Sequence, residues 1–97
     1  MGANGARGEV VARLAGAERR LCLTLGALAE METALGCEGL AALAERMRGL
    51  SARDLTVVLA ALLRGGGEAV LADELGDAPV DPCEAAEAVA RAFAAIG

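Results

Sequence analysis

Histidine, lysine, tryptophan and tyrosine are all missing from this chain, and phenylalanine occurs once, at Phe93. Each absence removes a class of chemistry. Without histidine, the usual general base near neutral pH and the commonest metal ligand are both gone. A single aromatic ring cannot build a stacking platform for bases or sugars, or a cage for a quaternary cation. All nine cations are arginines spread from Arg7 to Arg91, and against fourteen carboxylates they leave a net charge of -5. Phosphate binding needs clustered cations, so this balance argues against nucleic acid. The exclusive use of arginine, like the abundance of alanine, is read as coding bias.

Cysteine is scarce and isolated, at Cys22, Cys37 and Cys83, with no C-x-x-C pair. That spacing gives neither a zinc knuckle nor a disulfide frame and fits a reducing cytoplasm. The opening residues, MGANGAR, are too few and too polar for a secretory h-region. The longest apolar run, Leu55 to Leu63, is nine residues with Thr56 inside it, well short of the ~18 to 20 that span a bilayer. The expectation is a soluble, cytoplasmic protein with no membrane segment, no metal and no cofactor.

What the chain does have is enough apolar side chain for one core. Its 97 residues are 56% hydrophobic, and a chain of this size buries roughly two thirds of the surface it exposes unfolded. Residues 1–8 carry three glycines and no apolar anchor and read as a disordered tail. Residues 9–97 read as a single domain.

The pattern changes within Leu23 to Gly36. Leu21, Leu23 and Leu25 alternate, whereas Leu28, Met31 and Leu35 recur as one face of a helix. A strand therefore runs straight into a helix. Thr24 can cap its first turn, and Gly36 can close the last in the left-handed conformation. Upstream, residues 9–24 form a β-hairpin about Ala15-Gly16. That turn places Val10, Ala12 and Leu14 on one side opposite Leu21, Arg19 and Ala17. Glu9, Val11, Arg13, Glu18, Arg20, Cys22 and Thr24 collect on the other. A lone two-stranded ribbon has open edges unless helices or a second subunit cover them.

Three further helices are expected after residues 25–35, at about 40–48, 52–64 and 82–96. The second carries the stripe Leu40, Leu43, Ala44, Met47 and Leu50. The third opens on Ser51 with Asp54, a variant capping box. It presents Leu55, Val58, Leu59, Leu62 and Leu63 on one arc, with Arg53, Val57, Ala60 and Arg64 opposite, and reads as the central helix. Gly65-Gly66-Gly67 breaks it. Between 68 and 81 a short helical turn around Val70, Leu71 and Leu75 would be closed by Gly76. Asp81-Pro82-Cys83-Glu84 starts the last helix, whose core stripe is Ala86, Val89, Ala90, Phe93 and Ile96. The fold class is α+β: an N-terminal β-hairpin followed by a small bundle of about four helices.

No catalytic constellation emerges. Glu30 and Glu32 point roughly 200° apart on a helix, and Glu32 reads as a boundary carboxylate or as the partner of an arginine across an interface. Asp73, Glu74, Asp77 and Asp81 lack the ligand order of a calcium loop. The glycine run lacks the Lys-Ser/Thr of a phosphate loop and ends a helix where such a loop would start one. Without histidine or a resolving thiol, the cysteines read as small hydrophobes. The features that suit a partner are the small-residue face Ala85, Ala88, Ala92 and Ala95 of the last helix, and the outer ribbon positions Val11 and Cys22.

Gly8-Glu9-Val10, the run Leu23-Thr24-Leu25-Gly26-Ala27-Leu28-Ala29-Glu30-Met31-Glu32 closed by Gly36, Leu40 to Leu43, Leu50-Ser51-Ala52-Arg53-Asp54 and Leu62-Leu63-Arg64-Gly65-Gly66 together carry a resemblance. Over roughly residues 8–67 the chain resembles small proteins encoded in the tail-gene cluster of gene transfer agents and related prophages, grouped with phage tail assembly chaperones. Beyond Gly67 it departs from that pattern, with Pro79 and Pro82 interrupting a helical segment. The resemblance implies a non-enzymatic role in assembling a phage-like tail. A chaperone would hold the tape measure protein soluble until tube subunits polymerise around it, with the Leu-rich helix faces and the alanine face as its binding surface. The alternative is a structural tail component retained in the mature particle. Either implies a protein partner, the tape measure protein or tail tube subunits, and the ribbon edge leaves a homo-oligomer open.

Overall fold

Two antiparallel strands lead into five helices in the computed structural model, which describes residues 9–95. The expected tail at 1–8 and the stripe position Ile96 lie outside the described residues. Strands β1 (Glu9–Leu14) and β2 (Ala17–Cys22) pair with Leu14 opposite Ala17, Ala12 opposite Arg19 and Val10 opposite Leu21. This is the register the alternation requires, because a slip of one residue would turn the buried Leu14 and Leu21 outward. Ala15 and Gly16 both have positive φ, 53° and 81°, as a two-residue turn matched to strand twist demands.

Helix α1 (Leu25–Leu35) begins one turn-less step after β2, with Thr24 Oγ1 accepting from Ala27 N–H. It closes on Gly36 at φ 70°. Met31 and Leu35 point into the core, and Ala27 joins them there, while Leu28 is half-buried. Glu32 reaches forward to accept the Gly39 N–H at 2.7 Å, so its carboxylate serves the start of the next helix.

Helix α2 (Gly39–Arg46) and a 3₁₀ turn (Met47–Gly49) lie at the periphery. Of the expected stripe only Leu43 is fully buried, and Leu40 is about half exposed. Arg46 ties this segment down: its guanidinium donates to Leu35 O, an orphan carbonyl at the end of α1, and to Asp54 Oδ2 on α3.

Helix α3 (Ala52–Gly65), capped by Ser51 Oγ on Asp54 N–H, is the centre of the molecule. It packs on α1, β2 and both later helices, α4 (Ala69–Asp73) and α5 (Pro82–Ala94). Residues 58–63 are buried without a break, so Ala60, expected on the outer side, is also covered. A helix surrounded by neighbours needs small residues on its secondary face, and Ala60 and Ala61 fill that role. Arg64 at its end bridges Glu30 of α1 and Asp73 of α4. The 68–81 segment holds α4, which ends at Asp73, one turn before Gly76. Among the described residues no helix is long and apolar enough to cross a membrane.

Candidate interaction site

The last helix sits on the ribbon with its alanines inward. Ala85, Ala88 and Ala92 are buried, together with Val89, where α5 crosses the inner face of the hairpin and α3. The expected core positions Ala86 and Ala90 are exposed and Phe93 is half-buried. The helix is thus rotated from the orientation its larger side chains suggest. Tight approach to a strand pair selects the smallest side chains for the contact, whatever their hydrophobicity. The alanine face proposed above for a partner is therefore spent inside the domain; only Ala95, just past the helix end, stays partly accessible.

The larger apolar residues are displaced into a surface groove. Met47 and Leu50 line one wall, Leu55 of α3 the floor, and Ala86, Val89, Ala90 and Phe93 of α5 the other wall, enclosing about 290 Å³. Among the described residues no charged side chain lines it. On the far side of Leu55 a smaller hollow of about 110 Å³ continues between α3 and α5, bounded by Leu75, Val80 and Pro82. Together they form an apolar seam along α5.

The two ribbon edges differ. With Leu14 and Ala17 as the hydrogen-bonded pair that closes a two-residue turn, Val11, Arg13, Glu18 and Arg20 point their backbone groups away from the partner strand. Along β2 the groups of Arg20 and Cys22 are covered. Glu68 accepts the Arg20 N–H at 3.1 Å and lies 3.7 Å from the Arg19 guanidinium. Gly65 and Gly66 press on the Cys22 and Arg20 carbonyls so closely that an added Cβ would come within 2.2 Å and 2.1 Å of those oxygens. The glycine run, read from sequence as a helix stop, is also what lets α3 end against the strand. Along β1 the Arg91 guanidinium donates from Nη2 to the outward Val11 O at 3.0 Å. Val11 and Cys22 are half-buried on the outer face, opposite Arg20 and Glu9.

Chemistry elsewhere is sparse. Among the described residues no three of Cys, Asp or Glu are placed to hold a metal ion. The three thiols are not disulfide-bonded. Asp73, read as part of a solvated acidic loop, is paired with Arg64.

A family model described as phage tail tube protein, GTA-gp10, matches residues 7–97. The chain belongs to this tail tube family. The match runs through α4 and α5 as well as the segment that carried the resemblance, so the departure at Pro79 and Pro82 does not end the kinship. Membership ties the chain to phage-like and gene transfer agent tails and to protein partners within them. No curated protein and no solved structure gives a match.

The groove was not visible as a site in sequence, because every residue lining it also fits a core stripe. The one usable signal was the competition between two apolar faces on α5, only one of which could face inward.

Proposed function

We propose that this chain is a structural subunit of a phage-like tail, retained in the mature particle and seated through the apolar seam along α5. The observation that carries the reading is the tail tube family match over nearly the whole chain. The seam supports it physically. An uncharged groove of this size between exposed Ala86, Ala90 and the Phe93 ring costs free energy in water and gains it when a neighbouring subunit covers it. No bond chemistry is part of this role.

The second reading, an assembly chaperone that holds the tape measure protein and then leaves, draws on the same seam, because a groove between two helices accepts an amphipathic helix. Quantitative mass spectrometry of purified particles separates them. A structural subunit is present at a fixed ratio to the other tail proteins across preparations. A chaperone is abundant in the lysate and missing from the particle, and that outcome would reverse the order of the two readings.

A further inference from the structure

The seam along α5 has a charged border beside its apolar floor, and the two together select what kind of chain fits it. Exposed carboxylates stand one per turn along that border, at Asp81, Glu84 and Glu87. Asp81 lies between Val80 and Pro82, which bound the smaller hollow, and Glu87 follows Ala86 on the wall of the larger one. Among the described residues none of the three has an ion pair. Asp81 accepts only the Cys83 N–H, at 2.7 Å. Glu84 and Glu87 share a shallow hollow with Arg13 and Arg91. Arg91 is one turn beyond Glu87, the spacing of a helix ion pair, yet its guanidinium is turned to Val11 O. Glu87 also lies past the first turn of α5, where the helix dipole no longer rewards a carboxylate. No arginine occurs between Arg64 and Arg91. The carboxylates of that stretch that do have cations, Glu68 and Asp73, meet Arg19 and Arg64 at the two ends of α4.

A second copy of this chain does not match such a border. Helix α1 has no cation. Arg46 of α2 is held by Leu35 O and Asp54, Arg64 of α3 by Glu30 and Asp73, and Arg91 of α5 by Val11 O. Arg53 has no ion pair, but it belongs to the central helix, whose residues 58–63 are buried. Among the described residues no helix offers an exposed apolar stripe beside an unengaged arginine.

We propose that the seam receives a helix of a different protein, apolar on the stripe that enters the groove and cationic along the flank that meets Asp81, Glu84 and Glu87. Residues of α5 from Pro82 to Phe93 line the seam, a rise of roughly 17 Å, so about three turns of the partner are in contact. Exposed Ala86 and Ala90, one turn apart, let its backbone come close. This rests on the reading of the seam as the contact with the tail, and adds the charge of what lies there.

The test is calorimetric titration of the purified chain with two synthetic helices of about five turns, identical in their leucine stripe, one flanked by lysines and the other by glutamates. The lysine helix should bind on the order of tenfold or more tighter at low salt, and its advantage should shrink as salt is raised. Glu87→Arg should narrow the difference severalfold. Ala90→Glu adds charge of the attracting sign but obstructs the groove, so it should weaken the lysine helix, whereas general attraction to an acidic protein would strengthen it. Circular dichroism confirms that each variant is folded. Equal binding of the two helices, no binding of either up to the millimolar range, or tighter binding of the lysine helix to Ala90→Glu would overturn the proposal. So would a dimer, seen by sedimentation equilibrium, that Ala90→Glu abolishes, because it would put a second copy in the seam. The seam reading fails on a separate result, incorporation of an Ala86→Glu chain into particles at the wild-type ratio. Helices that bind alike while that variant is excluded from particles would overturn the partner's charge alone.

Discussion

Replacing Gly65 with alanine sets two effects of opposite sign against each other. Gly65 is the last residue of α3 and its φ is not in the left-handed region, so on helix propensity alone alanine should stabilise by roughly 0.5–1 kcal/mol. Against this, the new Cβ would lie 2.2 Å from Cys22 O and 3.2 Å from Thr24 Oγ1. The first of these atoms is backbone in a paired strand and cannot rotate away. Either β2 shifts off α3, opening the contact with buried Leu21, or the last turn of α3 unwinds and releases Gly66 N–H from Leu62 O. Overpacking of this kind costs about 1–3 kcal/mol. The clash should win, leaving a net loss of about 1–2 kcal/mol. In a domain of this size that is a fall of roughly 5–15 °C in melting temperature. Urea denaturation followed by circular dichroism measures it, with Gly76→Ala as the control because nothing lies within 4 Å of its added Cβ. A Gly65→Ala chain as stable as wild type, or more so, would refute the idea that close approach to the strand edge is why glycine stands there.

Other perturbations follow from the same packing. Ala88→Glu should destabilise by about 3 kcal/mol or more, because it buries an unpaired carboxylate in the contact between α5 and the ribbon, while Ala86→Glu should stay within about 0.5 kcal/mol of wild type; denaturation curves of the pair read out the rotation of α5. Arg46→Ala removes both the Leu35 carbonyl partner and the Asp54 ion pair, and should cost about 1–2 kcal/mol, with the C-terminal turn of α1 losing hydrogen-exchange protection. Met31→Ala empties a fully buried position between α1 and α3 and should cost about 2–5 kcal/mol in the same denaturation assay.

The hairpin and its junction with α1 were legible in the sequence because local chemistry decides them. Alternation fixes which side of each strand is buried, the two-residue turn fixes the pairing, and Thr24 and Gly36 mark both helix ends. The orientation of α5 was not legible. Hydrophobic periodicity ranks faces by side-chain size and apolarity, and on α5 it ranks Phe93 and its neighbours first. Crossing distance ranks them the other way, and only the position of the ribbon reveals that distance. The same limit hid the second role of Gly65 and Gly66. A single glycine ends a helix, so the run of three carried a surplus that pattern reading left unexplained. For α2, a stripe of correct spacing met a position at the rim of the fold where only Leu43 is fully buried.

Placing the seam along α5 at the centre of function makes one measurement decisive. Ala86→Glu puts a charge on the wall of the groove without disturbing the core, so particles assembled from cells expressing only this variant should lack the chain, or fail to form tails, while the soluble variant remains folded. Particles that incorporate the Ala86→Glu chain at the wild-type ratio, counted by quantitative mass spectrometry, would show that this groove is not where the protein is held.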